Sequence, residues 1–438
     1  MNRYFESYLE NWKNRKSRKP LIVRGARQIG KTYTIEEFGK KNFPDVVKVN
    51  FEEKPELKDF FVTNDTDEIL TNLNSYFSKS IKDGDTLLFL DEIQQCPSAI
   101  AGLRYFYEKR PKLHIIAAGS LLDHVLNDIS YSMPVGRIEF AYMHPLNFLE
   151  FLNAMGEKGL TAYLNSYRFP KKISPPIHEK LLKLARLYYF IGGMPEAVRE
   201  YSDSKDLIEV ERIHESIIRT LELDFSKYGT KSQQENLISI LRYIPTGIGK
   251  KIKYVNIDPY KRSDALRTAF NLLEMSRIVS LTNHTSAEGI PLEQGKNDRI
   301  SKPLFLDIGL ANHILKLRLT DINDLITVNE GSLAEQFVGQ QILSTDAFYL
   351  DPKLYYWVRE AKNSNAKLDF VTEYDHKIIP IEVKAGKTGT LRSLQVFMKE
   401  KKLRKALRFN ADQPSETTGD YDLISLPLYL APLFRKFV

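Results

Sequence analysis

Apolar runs alternate with helical spacing along the first third of the chain. Leu21-Ile22-Val23, Val46 to Phe51, Thr86 to Leu90 and Leu113 to Ala118 are short and almost continuously apolar. Between them lie stretches such as Tyr33 to Lys41 that read as helices. Continuous apolar strands separated by helices predict a parallel sheet covered on both faces. Phe140 to Leu146 reads as a further strand leading into a helix.

From about residue 147 to 230 the pattern turns helical. Ile177 to Tyr189 places apolar residues three and four apart, Gly192-Gly193-Met194-Pro195 breaks the run, and a new helix begins near Glu196. Residues 232–284 read as a small helix–turn–helix unit. Gln233 to Tyr243 is its first helix, Gly247-Ile248-Gly249 its stop, and Ala265, Leu266, Ala269, Leu272 and Leu273 the apolar face of its second. Ile278 to Leu281 could start a β-wing, with Lys261, Arg262 and Arg267 turned outward toward a major groove. A purely structural winged-helix spacer accounts for the same pattern.

The last third predicts a helix over Ser332 to Leu343 and strands over Leu354 to Arg359, Lys367 to Tyr374 and Lys377 to Lys384. A helix over Leu391 to Lys401 and a strand over Lys405 to Phe409 follow. At 438 residues the chain has room for about three domains. The expected division is an α/β domain over residues 1–150, a helical lid over 151–231, a winged-helix-like unit over 232–300 and an α/β domain over 301–438.

Chemistry enters at the first strand. Gly25-Ala26-Arg27-Gln28-Ile29-Gly30-Lys31-Thr32 follows it directly and precedes the helix that begins near Tyr33. This is G-x-x-x-x-G-K-[ST] between a strand and a helix, the phosphate-binding loop of P-loop NTPases. Its glycines let the backbone wrap an anion, and amides at the helix N-terminus point at phosphates. Lys31 would reach the β- and γ-phosphates of a nucleoside triphosphate, and the Thr32 hydroxyl would face Mg²⁺. The third apolar run ends in Asp91-Glu92. Asp91 would hold the magnesium ion, and Glu92 would polarise the attacking water. Ser120, after the run ending at Ala118, is the candidate γ-phosphate sensor, with an ordinary helix cap as the competing role. Arg137 is the candidate arginine finger, in competition with Arg104 and Arg110.

A second constellation lies near the C-terminus. Asp369 sits in an apolar stretch, and Glu382-Val383-Lys384 completes a D…E-x-K pattern. Glu382 and Lys384, two apart on a strand, leave the same face. Two carboxylates and a lysine converging there could hold Mg²⁺ and activate water for phosphodiester cleavage. Glu335 on the preceding helix would add an acid, and Gln395 is a weaker addition. The αβββαβ order resembles the PD-(D/E)xK nuclease superfamily. A solvated array of surface ion pairs is the alternative for the same residues.

Composition narrows the class. With 42% hydrophobic and 27% charged residues, the chain has the balance of a globular protein rather than a disordered one. No apolar run approaches a membrane span, and no signal-peptide pattern is present, so a cytoplasmic location and no membrane partner are expected. The single cysteine, Cys96, excludes an internal disulfide framework and reads as buried filler. A net charge of +7 with a pI near 9.0 permits DNA or RNA as a partner. Basic residues cluster at Lys13 to Lys19 and at Lys250 to Arg262, where solvated faces are the competing explanation.

Over nearly its whole length the chain resembles a prokaryotic family of AAA-type ATPases with a C-terminal nuclease-like domain of unassigned function, similar to the broader STAND and archaeal AAA-like group. The residues carrying this are the 25–32 loop, Asp91-Glu92, Gly119-Ser120, Gly136-Arg137, Gly192 to Pro195, Phe305 to Leu310, Gly331 to Val338 and the D…E-x-K block. The resemblance implies ATP binding and a conformational cycle. Ser120 departs from it, standing where an asparagine is frequent. The leading expectation is a Mg²⁺-dependent ATPase acting as a switch or motor on nucleic acid. The alternatives are an ATP-gated nuclease using Asp369, Glu382 and Lys384, and a nucleotide-dependent scaffold for a protein partner. Arginine-finger logic adds a homo-oligomer to the expected partners.

Overall fold

The computed structural model describes residues 3–119, 136–317, 330–360, 365–386 and 390–438. The chain divides into two compact units. The first comprises residues 1–144 with two short returns of the chain, 275–277 and 347–351; the second holds the remainder.

The first unit begins with α1 (Tyr4–Asn14) and alternates β1 (Leu21–Arg24), α2 (Lys31–Asn42), β2 (Asp45–Asn50), α3 (Thr66–Phe77), β3 (Thr86–Asp91), α4 (Pro97–Lys109), β4 (His114–Ala118) and β5 (Glu139–Tyr142). The local reasons are conventional. Asp65 caps α3 by accepting from the Asp67 amide, and α4 opens on Pro97, whose missing N–H costs nothing there. The strands pair in the order β2-β3-β4-β1-β5, all parallel. Every residue of β3 and β4 is buried, as a sheet covered on both faces requires. Ile22, Val49, Leu88, Leu90 and Ile115 pack with Leu73, Leu103 and Phe106 from the flanking helices. The fifth strand is shorter than Phe140 to Leu146 and begins one residue earlier, at Glu139. The parallel sheet with its helices is a P-loop NTPase fold.

The second unit starts with the helices α5 (Phe148–Ala154), α6 (Lys158–Ser166), α7 (Pro175–Ile191), α8 (Pro195–Ser204), α9 (Leu207–Asp224), α10 (Lys231–Gly247) and α11 (Ser263–Met275). Then come β6 (Val279–Thr285), β7 (Lys296–Phe305), α12 (Ile308–Ile314), α13 (Glu330–Leu343), β8 (Tyr355–Val358), β9 (Lys367–Tyr374), β10 (Lys377–Val383), α14 (Arg392–Lys401), β11 (Lys405–Asn410), β12 (Ser415–Thr417) and β13 (Asp422–Pro427). The eight strands form one mixed sheet in the order β12-β13-β11-β10-β9-β8-β6-β7. β8, β9 and β10 form an antiparallel meander. β11 joins β10 in parallel, a connection that needs a crossover, and α14 supplies it. The meander packs Trp357, Leu368 and Val371 against Leu394 and Phe397 of α14.

The helices expected as a lid group by their contacts with the second unit. Where a β-wing was expected, β6 and β7 pair antiparallel as an arm of the large sheet, joined to β8 through Asn283 and His284. The expected division at residue 300 falls inside β7, and that at 150 inside α5. Lys261 is half-buried, whereas Arg262 and Arg267 are exposed on α11 and just before it. Among the described residues no helix is long and apolar enough to cross a membrane.

Candidate nucleotide site and C-terminal carboxylate cluster

The loop of residues 25–30 joins the buried strand β1 to α2. Gly25 lies against the β5 exit: a Cβ there would sit 2.4 Å from the Met143 carbonyl oxygen and 2.6 Å from Ile29 Cδ1. Gly30 takes a left-handed conformation (φ 87°) as the residue before α2, and no side chain caps that helix. The first amides of α2 are therefore left for an anion. Lys31 is buried, and its Nζ donates to the Gly25 and Ala26 carbonyls at 2.8 and 2.7 Å. Burial pulls its ammonium down to about 8, against the attraction of Glu92 and Asp91. Ala26 and Ile29 are buried, Arg27 is half-buried, and Gln28 is exposed with a left-handed backbone (φ 61°). Tyr33 is 53% exposed, so it flanks the loop without sealing it.

Asp91 meets the loop motif through Thr32. The Thr32 hydroxyl donates to both carboxylate oxygens of Asp91 at 3.2 Å, across 59 positions of sequence. β4 runs between β1 and β3, so Gly119 leaves the sheet between the loop and the acids. Glu92 is left-handed (φ 51°), which turns it out of the strand line; its carboxylate accepts from the Gln94 side-chain amide. Lys48 on β2 lies 3.3 Å from Asp91 Oδ2 and 2.7 Å from Glu36. Ser120 lies outside the described residues.

Arg137 is half-buried just before β5. Its guanidinium pairs with Glu108 at 2.9 Å, a partner it shares with Arg104, while Arg110 pairs with Asp83 and Asp67. Cys96 is buried, and burial raises its thiol pKa, which suits inert packing.

In the second unit Asp369, Glu382 and Glu335 converge on one face of the sheet, each no more than 9% exposed. Asp369 Oδ2 accepts from the Val383 amide at 2.9 Å. Glu382 Oε1 accepts from Lys384 at 2.5 Å, and its Oε2 is buried without a hydrogen-bond partner among the described residues. Burial, aided by the Asp369 charge, pushes the Glu382 carboxyl up to about 7. Burial and Asp369 likewise raise Glu335. Gln395 is exposed on α14. Among the described residues no group of three or more His, Cys, Asp or Glu side chains is arranged to hold a metal ion.

Sequence reading missed four residues at these sites. Arg3 is buried and clamps the loop, donating to the Ile29 carbonyl at 3.1 Å and the His144 carbonyl at 2.6 Å. Lys48 neutralises Asp91, and Gln94 orients Glu92. Lys302 is buried beside Glu335. Gln94, two residues from Glu92, was open to local reading. The others act over tens of positions and carry no motif.

Residues 17–152 match the AAA domain family model. Residues 182–321 and 330–429 match models of two domains of unknown function, DUF8612 and DUF4143. None of the curated proteins compared with the chain matches it. Among solved structures, the Walker-type ATPase PABY2304 of Pyrococcus abyssi is 17% identical, covering 72% of this chain and 95% of its own, with a TM-score of 0.46. The ORC2 protein of Aeropyrum pernix is 12% identical, covering 74% and 96%, with a TM-score of 0.36. RuvB of Thermotoga maritima is 14% identical, covering 64% and 87%, with a TM-score of 0.30. Likeness at that level transfers no activity. The loop geometry and the family match agree that residues 17–152 form an AAA-type P-loop domain.

Proposed function

We propose that this chain is a Mg²⁺-dependent ATPase whose nucleotide cycle serves as a switch on nucleic acid. The observation that carries the reading is the contact of Thr32 with Asp91, beside a buried Lys31 in a glycine-shaped loop. Thr32 and Asp91 are an oxygen pair suited to magnesium, which when bound neutralises charge on the phosphates. Lys31 leaves the loop carbonyls to pair with phosphate oxygens, and the open α2 N-terminus binds the rest of the chain of phosphates. Glu92, held by Gln94, orients the attacking water and takes its proton. Arg137, half-buried and paired with Glu108, fits a role on the nucleotide of a neighbouring copy. The net charge of +7 supports DNA or RNA as partner.

The pairing of the C-terminal strands supports a nuclease-like fold. An antiparallel β8-β9-β10 meander follows α13, and β11 returns in parallel after α14, the order and sense expected of αβββαβ.

The test is ATP hydrolysis by wild type and Glu92→Gln, with and without magnesium and with and without plasmid or single-stranded DNA. The reading expects magnesium-dependent turnover, stimulated by DNA and lost in Glu92→Gln. Turnover that ignores DNA would remove the nucleic-acid part. No turnover in wild type would reduce the site to a binding switch.

A further inference from the structure

The nuclease-like fold implies a divalent ion between Asp369, Glu382 and Glu335, and the side chains present do not fit one. Lys302, delivered by β7, is 4% exposed. Its Nζ lies 3.3 Å from Glu335 Oε2 and 3.4 Å from the Asp369 carbonyl oxygen. It also sits 4.9 Å from the centre of the Tyr356 ring and 5.9 Å from that of Phe370. A carboxylate, a carbonyl and two aromatic faces form a complete seat for an ammonium. An ammonium taken this far from water loses its hydration, so it stays only where such partners surround it.

Two of the five other carboxylate oxygens are held as well, while Glu382 Oε2 has no hydrogen-bond partner among the described residues. Glu382 Oε1 is held by Lys384 and Asp369 Oδ2 by the Val383 amide. Glu335 cannot swing away freely, because Gly249 packs against it so closely that a Cβ there would lie 2.9 Å from Glu335 Oε1. Three carboxylates against two lysines leave a formal charge of −1. A divalent ion needs several oxygens at about 2.0–2.6 Å. In this cluster it would also meet the Lys302 ammonium at close range, with a strong repulsion in a buried setting.

We propose that Lys302 is the resident cation of the C-terminal cluster, and that the cluster binds no divalent metal in the native chain. The domain then keeps a nuclease-like sheet without metal-assisted phosphodiester cleavage. Lys302 instead ties β7, α13 and β9 together. The proposal stands on the cluster's side chains and holds whatever the ancestry of the fold.

The experiment is a Mn²⁺ titration followed by electron paramagnetic resonance, on the full-length chain without nucleotide. Asp91→Asn serves as the parent so that the N-terminal site stays silent. The parent should show no stoichiometric site that depends on Glu382. Adding Lys302→Gln should create one site per chain, bound at least about tenfold more tightly than in the parent, and Glu382→Gln should abolish it. One Mn²⁺ per chain in the parent, lost on Glu382→Gln, would overturn the proposal, and this measurement needs no change at Lys302. A Lys302→Gln chain that melts cooperatively yet gains no site would also overturn it.

Discussion

Asp307 offers the sharpest quantitative test of how the second unit is held together. Its side chain is fully buried at the start of α12, and it accepts four hydrogen bonds. Oδ1 takes the Gly309 and Leu310 amides at 2.9 and 3.3 Å; Oδ2 takes the Gly193 amide at 2.6 Å and the Gln340 side-chain amide at 3.0 Å. Three motif segments thus meet on one carboxylate: the Gly192-Gly193 break, Leu306 to Gly309, and α13. Gly192 must be glycine for this, since a Cβ there would lie 1.9 Å from Asp307 Oδ1. Asp307→Ala removes an N-cap, worth about 1 kcal/mol. It also orphans two further buried donors at roughly 1–3 kcal/mol each. The expected loss is about 3–7 kcal/mol, a large share of the roughly 5–15 kcal/mol that holds a domain folded. Asp307→Asn keeps one acceptor oxygen and should lose about half as much. Urea unfolding followed through Trp357, in a Trp12→Phe background, reports on the second unit alone, because these are the chain's two tryptophans. A loss below about 1 kcal/mol for Asp307→Ala would refute the account.

Three further outcomes are expected. The Lys31 ammonium, held down to about 8 in the free protein, regains its preference for charge beside phosphates, so nucleotide binding should take up a proton near pH 8.5. Affinity should then fall as pH rises above about 8, and calorimetry in two buffers of different ionisation heat should show it; identical heats would count against the buried-lysine picture. Arg3→Met strips the donors from the Ile29 and His144 carbonyls and should weaken ATP binding about tenfold, read by fluorescent-nucleotide titration, with unchanged affinity as the contrary result. His114 is pushed down to about 4, mainly by burial. Its folded-state value lies below the ordinary 6.5, so the unfolded chain takes the proton first and stability drains away as pH falls from about 6.5 to 4. Trp12, whose ring centre is 5.9 Å from that of His114, reports the transition, and His114→Gln should flatten its acid limb.

Much of the fold is legible locally because its causes are local. A buried strand, a glycine loop and a lysine at the helix start are adjacent in sequence, so the 25–32 motif carries its own structural context. The αβββαβ order of the C-terminal third follows from alternation and spacing, and the observed strands differ from the expected ones by a residue or so at their ends. Asp91 is likewise marked by the apolar run before it. The β12–β13 pair passed unpredicted, since β12 is three exposed residues whose only strand signal is its partner.

Other features exist only once the chain is folded. Hydrogen bonds and ion pairs depend on distance in space, and nothing in the residues near Arg3, Lys48 or Lys302 announces the loop, the acid or the cluster that each one serves. The same holds for Arg137, whose motif-like setting gave no hint of its pairing with Glu108. The sequence by itself determined a P-loop domain and a carboxylate-bearing C-terminal sheet, because periodicity and motif act through neighbouring residues. Tertiary structure alone decided which cations those carboxylates keep, because burial makes an unpaired charge costly and only the fold selects its partner.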